Sequence, residues 1–319
     1  MNNKRIGNEF KYSVAIRTRG YSEKLEQTLV SLWRQSIKPS EIVIVLPYGV
    51  DSWKVDGYDN VVRFAYGKKG MITQRKIGII ETKYDYLLLL DDDIVFESNK
   101  AIESLFLALF NYEATCVIPF SPDSIPHGFK RIIYRIFGIA VPTKGRDLIY
   151  LPSSGQYYPC KVDLSIPYFI EGGLGRCIAV KRKFLIEHDL YGDESLEDIP
   201  YPLREDGAFI FSIVLSGGKA IMIDAGSYKH LTEKIDPNRL FYSYEASIAN
   251  NYLFWRKYVL PRYNYSFYSK VAFTWLLVGN VLLALLSSAL YKNSAPIKGV
   301  FRGFRRVFDY STKMSFTKI

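Results

Sequence analysis

The segment Tyr84-Asp85-Tyr86-Leu87-Leu88-Leu89-Leu90-Asp91-Asp92-Asp93 decides how the rest of the chain is read. A tyrosine followed by four leucines reads as a short strand buried on both faces, as found inside a parallel sheet. Three carboxylates follow at once. Open α/β sheets bind ligands beyond the carboxyl ends of their strands, so a strand ending in acids delivers them to that place. If strand geometry continued, Asp91 and Asp93 would point to one side and Asp92 to the other. Two carboxylates on one side repel each other unless a cation lies between them. Hard oxygen ligands suit Mg2+ or Mn2+, shared with the phosphates of a substrate. Without its neighbours, the same triplet reads as an acidic turn before a helix that begins near Ser98.

Working outward, Val14-Ala15-Ile16 is a short apolar strand followed by the loop Arg17-Thr18-Arg19-Gly20. Ser22 reads as the N-cap of a helix over Glu23 to Gln35, with Leu25, Leu29, Leu32 and Trp33 at helical spacing. Pro39 ends it, and Glu41 to Leu46 is a second buried strand. Strand, helix and strand in so short a span form a βαβ unit, hence parallel pairing. Val61 to Ala65 is a third strand, and Gly70 opens a helix over Met71 to Glu81 that carries Gln74, Arg75 and Lys76. Beyond the acids, Ile94 to Asn111 contains a helix with Ile102, Leu105, Phe106 and Leu109 on one side, and Thr115 to Pro119 is another strand. The fold class is α/β, with a mostly parallel sheet flanked by helices.

The 319 residues allow one large α/β domain with appendages, and the net charge of +10 calls for a polyanionic partner. Nucleic acid is disfavoured, because the basic excess borders an apolar run and not a polar groove with stacking aromatics. Cys116, Cys160 and Cys177 have neither paired nor metal-like spacing, which argues for a reducing compartment. Met1 to Lys11 is polar and charged and does not read as a signal peptide.

Later segments extend the pattern. Phe169-Ile170-Glu171-Gly172-Gly173 leads into Ala179-Val180-Lys181-Arg182-Lys183-Phe184. Arg204-Glu205-Asp206-Gly207-Ala208-Phe209 opens a helix to Leu215, then Gly217-Gly218-Lys219 turns into a strand over Ala220 to Ile223, and Tyr228-Lys229-His230 follows. In order and spacing, Ser13 to Leu231 resembles glycosyltransferase family 2, with its GT-A fold. The carrying motifs are Ser-Leu-Trp-x-Gln at 31–35, Gly-x-x-x-x-Arg at 70–75, Asp-x-Asp at 91–93 and Glu-Asp at 205–206. The resemblance implies transfer of a sugar, with inversion, from a nucleotide-diphosphate donor to a hydroxyl. On that reading Asp206 is the general base and Glu205 its alternate. Asp91 and Asp93, with His230, hold Mg2+ or Mn2+. Thr18, Arg19, Arg75, Asp91 and Asp92 bind the donor, and Glu171, Gly172 and Gly173 bind the acceptor. The N-terminus of the helix after Gly70 also favours a phosphate, and the paired glycines permit close approach of a substrate or simply form a tight turn. His230 reads equally as a hydrogen-bonded, partly buried histidine, while His127 and His188 read as surface residues. The chain departs from the family after the second strand. Leu46-Pro47-Tyr48-Gly49 stands where a nucleobase-reading Asp is usual, so the donor need not be a uridine nucleotide. Lys76 after Arg75, where Asn is common, is a smaller departure.

These readings divide the chain into a catalytic domain (1–235), a helical connector (236–270), an apolar segment (271–291) and a basic amphipathic tail (292–319). The first comprises a nucleotide-sugar half (12–119) and an acceptor half (120–235) with an insertion at 121–168. In the insertion, Gly128 to Phe137 reads as a core-facing helix with a basic outer side, or as an interfacial segment on an anionic membrane. Val271 to Tyr291 is uncharged and long enough for a membrane span. Basic residues flank both sides, so a span, a re-entrant hairpin and a helix buried between two copies in a homo-oligomer all remain open. Val300 to Phe308 reads as a basic amphipathic helix on anionic lipid. The expected setting is the cytoplasmic face of the cell membrane, with a lipid-linked or glycan acceptor. A sugar nucleotidyltransferase is the competing enzyme, although Arg17-Thr18-Arg19-Gly20 is not its Gly-rich phosphate loop. A non-catalytic basic membrane-binding protein on the same scaffold is the other alternative.

Overall fold

The structure is a computed structural model describing residues 9–55, 57, 60–121, 125, 126, 128–141, 143–145, 147–159, 162–226, 228–231 and 237–316. The start of the N-terminal segment, His127 and Cys160 lie outside the described residues.

The first half runs β1 (Ser13–Arg17), α1 (Glu23–Trp33), β2 (Glu41–Pro47), β3 (Val62–Gly67), α2 (Met71–Glu81) and β4 (Tyr86–Asp91). It continues through β5 (Ile94–Phe96), α3 (Ala101–Asn111), β6 (Cys116–Pro119) and α4 (Gly128–Ile136). Short strands β7 (Ala140–Val141), β8 (Leu148–Ile149), β9 (Tyr158–Pro159) and β10 (Tyr168–Ile170) lead to β11 (Cys177–Lys181) and α5 (Arg182–Glu187). Then come α6 (Glu205–Leu215), β12 (Ala220–Ile223), β13 (Tyr228–His230) and α7 (Pro237–Phe254). A π-helical turn (Trp255–Val259), α8 (Leu260–Arg262), α9 (Phe267–Leu290) and α10 (Ala295–Phe316) close the described chain.

Among the described residues the main sheet has nine strands in the order β3-β2-β1-β4-β11-β6-β12-β10-β8. β3, β2, β1 and β4 are parallel, and β11 runs antiparallel between β4 and β6. The α/β expectation is what the structure has. The four leucines of β4 explain why both faces are covered. Leu88 and Leu90 pack with Leu25, Leu29 and Leu32 of α1 and Ile102, Leu105 and Leu109 of α3. Leu87 and Leu89 pack on the other face with Leu185 of α5 and Phe209, Ile210 and Ile213 of α6. Alternation along one strand thus serves two apolar layers.

Capping sets the helix starts. Ser22 Oγ accepts from Leu25 N at 3.1 Å, as its place before α1 predicts. Gln35, buried at the end of the Ser-Leu-Trp-x-Gln motif, accepts from Ile102 N at 3.2 Å and donates to Ser98 O at 2.9 Å. It supplies the start of α3 with a cap that Lys100 does not give. Cys116 and Cys177 are buried free thiols, and His188 is exposed against Phe184.

One feature differs from the sequence reading. The strand of β4 stops at Asp91, and Asp92 and Asp93 form a turn into β5, so strand alternation does not govern where the acids point. The tail helix α10 packs against α7. A Cβ on Gly299 would stand 2.3 Å from Phe241 O, and one on Gly303 would stand 2.8 Å from Glu245 O. Glycine at both positions lets the helices approach closely, and Glu245, fully buried, pairs with Arg302 at 3.3 Å and with Arg306.

Candidate functional site

The register of the parallel pair β1–β4 sets Arg17 opposite Asp91 at their carboxyl ends. Arg17 Nε lies 2.7 Å from Asp91 Oδ1, and its Nη1 lies 3.2 Å from Glu205 Oε1. Glu205 and Asp206 open α6, whose preceding residue, Arg204, takes a left-handed φ of 73°. Arg75, from α2, joins both acids: its Nη2 lies 2.6 Å from Asp206 Oδ1 and also pairs with Glu205 Oε2. Arg75 is buried, with its guanidinium 4.9 Å above the Phe209 ring. Two arginines and three carboxylates from β1, α2, β4 and α6 therefore form one buried network. It borders a cleft lined by Arg17, Gln74, Arg75, Asp91 and Gly175.

The two acids of α6 sit differently. Glu205 is enclosed between the arginines, its side chain 3% exposed, whereas that of Asp206 is 19% exposed. Burial pushes the Glu205 carboxyl up, against Arg75, and the Asp206 charge adds to the rise. Burial also works against the Asp206 carboxylate, but Arg75 and Arg17, with hydrogen bonds from Glu205 and the Gly175 N–H, outweigh it and hold the group below the usual range. The two carboxyls are thus pushed in opposite directions, Glu205 up and Asp206 down. Gly175 is required here, because a Cβ would stand 2.1 Å from Asp206 Oδ1.

Thr18 Oγ1 donates to Asp92 Oδ2 at 2.5 Å, and Gln74 Nε2 donates to Thr18 O and Val45 O, both at 2.7 Å. These bonds tie the loop after β1 to the acidic turn and to α2. Burial pushes Asp92 up to about 6, against the Thr18 hydrogen bond. Arg19 is exposed beside this loop. Tyr48, at the place of the nucleobase-reading Asp, is 72% exposed.

Asp93 and His230 meet because β5 and β13 pair antiparallel, with His230 opposite Ile94. His230 Nε2 lies 3.1 Å from Asp93 Oδ2, while Asp93 Oδ1 and His230 Nδ1 are buried without hydrogen-bond partners. The 3.1 Å between His230 Nε2 and Asp93 Oδ2 matches two ligands sharing one divalent cation, a carboxylate and an imidazole, while Oδ1 and Nδ1 lie on the outer edges of the two groups. Among the described residues no group of three His, Cys, Asp or Glu side chains gathers to hold a metal. Asp91, the other expected ligand, has its Oδ1 on Arg17.

On the expected acceptor side the structure gives the residues protein partners. Arg262 forks onto Glu171 at 2.8 and 2.7 Å, and Leu151 N donates to Glu171 Oε2 at 2.6 Å. A Cβ on Gly172 would meet Tyr157 Cγ at 2.8 Å, and one on Gly173 would meet Ile118 Cδ1 at 2.4 Å. These glycines admit the neighbouring side chains, yet both still line a second cleft with Ser121, Tyr157 and Leu174. The N-terminus of α2, expected to attract phosphate, carries an internal anion. Glu197 accepts from Ile72 N, from Thr73 N at 3.3 Å and from Thr73 Oγ1 at 2.9 Å. Sequence reasoning missed Arg17, Gly175 and Glu197. Arg17 carried one signal, a charge on the last residue of an apolar strand.

No family model and no curated protein matches the chain. Solved structures do. The mannosyltransferase PcManGT from Pyrobaculum calidifontis, in complex with GDP-Man and Mn2+, superposes with a TM-score of 0.52 at 12% identity, over 98% of this chain and 89% of that one. The chain shares its GT-A fold. S. aureus TarS 1–349 matches with a TM-score of 0.48 at 12% identity, over 88% of this chain and 74% of that one. TarS 1–349 in complex with UDP-GlcNAc gives a TM-score of 0.42 at 12% identity, over 93% and 92%.

Proposed function

We propose that the chain is an inverting, metal-assisted glycosyltransferase that moves a sugar from a nucleoside-diphosphate donor to a hydroxyl of a lipid-linked or glycan acceptor. The observation that carries this reading is Asp206, paired with Arg75 at 2.6 Å and set against Gly175, both of which line the cleft beyond β1 and β4. The GT-A fold shared with PcManGT, whose structure holds GDP-Man and Mn2+, supports a nucleotide-sugar donor.

Each role follows from its surroundings. Asp93 and His230 would hold the divalent cation, whose chemistry when bound is to neutralise charge on the departing diphosphate. Thr18, Asp92 and Gln74 fix the loop that borders the donor. Asp206 takes the proton of the acceptor hydroxyl as that oxygen bonds to the anomeric carbon and the bond to the diphosphate oxygen breaks. A single displacement of this kind inverts the anomeric configuration. An Asp held this low is a weak base. A donor diphosphate is an anion that competes for Arg75, and drawing Arg75 away raises the basicity of Asp206 when the donor is seated. Glu205, paired with both Arg17 and Arg75, positions the two guanidiniums beside Asp206.

The test is release of nucleoside diphosphate from a panel of UDP-, GDP- and dTDP-linked sugars in the presence of Mn2+. Release from one donor, lost in Asp93→Ala and in Asp206→Asn, supports the reading. Release of pyrophosphate from a nucleoside triphosphate and a sugar 1-phosphate, with no release from any sugar nucleotide, overturns it in favour of nucleotidyl transfer.

A further inference from the structure

The C-terminal helices present a face that the cleft does not use. Along α9, Val271, Trp275, Val278, Leu282, Leu286 and Leu290 are between 40% and 79% exposed and recur at helical spacing. The stripe they form is about 30 Å long at the rise of an α-helix. On the opposite side, Phe273, Leu276 and Ala284 are buried. At Trp275 the stripe meets α4: the indole N–H donates to Ile136 O at 2.7 Å, and Gly279 lies against Phe137. Tyr134 and Phe137, at the end of α4, pack toward the core, whereas Ile132 and Ile136 are 54% and 57% exposed and extend the stripe. Exposed basic side chains lie on the same helices, Arg131 and Arg135 on α4 and Lys270 and Lys292 at the two ends of α9, and Lys298 and Arg305 are exposed on the adjoining α10.

We propose that this face lies in the plane of an anionic bilayer, with α9 along the surface and not across it. Three observations select that occupant. First, α9 is fastened along its inner side to α7 and α10, whose contact includes buried Glu245 with Arg302 and Arg306. A crossing helix would carry those charges toward hydrocarbon, where they are costly. Second, a second copy docked on these helices would bring their exposed basic residues toward their own counterparts, whereas anionic headgroups complement them. Third, Tyr265, Phe267 and Tyr268, at the start of α9, are 60%, 80% and 72% exposed. Amphipathic rings of this sort sit at headgroup level. Arg262, just before them, is the residue forked onto Glu171. The membrane face therefore adjoins the second cleft, and a lipid-linked acceptor would enter from the bilayer surface. That last step rests on the transferase reading, but the docking does not.

Flotation tests the proposal. Full-length protein with a C-terminal tag is mixed with sealed vesicles, either equimolar phosphatidylglycerol and phosphatidylcholine or phosphatidylcholine alone. The expected result is flotation with the anionic vesicles, weakened by salt, with the tag fully open to added protease. Leu282→Glu/Leu286→Glu, at exposed positions, should abolish flotation with an unchanged melting curve. Lys298→Glu/Arg305→Glu, which leaves the apolar stripe intact, should weaken binding by at least about 25-fold, from the contribution of two basic residues. A protected tag overturns the in-plane arrangement. Equal flotation of the Leu282→Glu/Leu286→Glu protein overturns the surface. A parent protein that ignores vesicles and runs as a dimer, made monomeric by the same substitutions, assigns the face to a second copy. Flotation needs no turnover, so its failure leaves the transferase reading standing.

Discussion

Arg75 Nη2 lies 2.6 Å from Asp206 Oδ1, so the base proposed for catalysis is paired with a cation that a donor diphosphate would also seek. This pairing gives a pH signature. Asp206 is held below its ordinary value, so the free enzyme has the active, ionised form at any pH well above that range and loses it only as pH falls through the lowered value. The kcat/KM profile reports the free enzyme and the kcat profile reports the complex. The acid limb of kcat should therefore lie at higher pH than that of kcat/KM, once the donor has drawn Arg75 away. In Arg75→Gln the kcat/KM limb should move up toward it. Coincident limbs in the parent enzyme, unmoved by Arg75→Gln, contradict the coupling.

Gly175→Ala places a methyl group where Asp206 Oδ1 now sits, 2.1 Å from the new Cβ. Displacement of the base by this much should cost on the order of 100-fold in kcat. Nucleotide binding, read by thermal shift, should change little, because the donor's proposed ligands, Thr18, Arg75, Asp93 and His230, come from other segments. Equal loss of binding and turnover would instead mark Gly175 as a structural position.

Glu197 serves α2 as an internal anion, accepting from the backbone N–H groups of Ile72 and Thr73 where Gly70 offers no side-chain cap. Glu197→Ala should destabilise the protein by about 1 kcal/mol, the usual cost of a lost cap. For a chain of this size that lowers Tm by roughly 2 °C. Calorimetry checks it, and an unchanged Tm would show that water replaces the carboxylate without loss.

Gly303→Ala probes the seat of α10, where a Cβ would stand 2.7 Å from Ile248 Cβ and 2.8 Å from Glu245 O. Overpacking of this kind costs about 1–3 kcal/mol, and urea unfolding should show a lower midpoint. An unchanged midpoint would mean that α10 shifts freely on α7.

These expectations also show what the sequence could and could not convey. The leucines of β4, the Ser22 cap and the periodicity of α1 and α2 encode local geometry and the burial of each face, and those elements stand where the sequence places them. Asp93 with His230, and Asp206 with Arg75, could be singled out by motif order, although only the pairing of β5 with β13 and the seating of α2 beside α6 bring the members of each pair together. Arg17 showed only a charge at the end of an apolar strand, because its partner depends on the register that sets it opposite Asp91. Gly175 was illegible because its small size matters only once α6 has brought Asp206 against it. Glu197 acts across more than a hundred residues, on a helix whose own sequence provides no cap. In the tail, the basic amphipathic pattern concealed Gly299 and Gly303, which fasten α10 to α7 by backbone approach. Composition reports charge, not close packing.

The most direct test of the account is thermal stabilisation by UDP, GDP, dTDP and CMP, each with and without Mn2+, in the parent protein and in Asp93→Ala. A ligand at a hundredfold its Kd stabilises by about 2.7 kcal/mol, enough to read as a shift in Tm. The account predicts a shift with a nucleoside diphosphate that requires Mn2+ and disappears in Asp93→Ala. A well-folded parent protein that melts at the same temperature with every nucleotide and metal would contradict it.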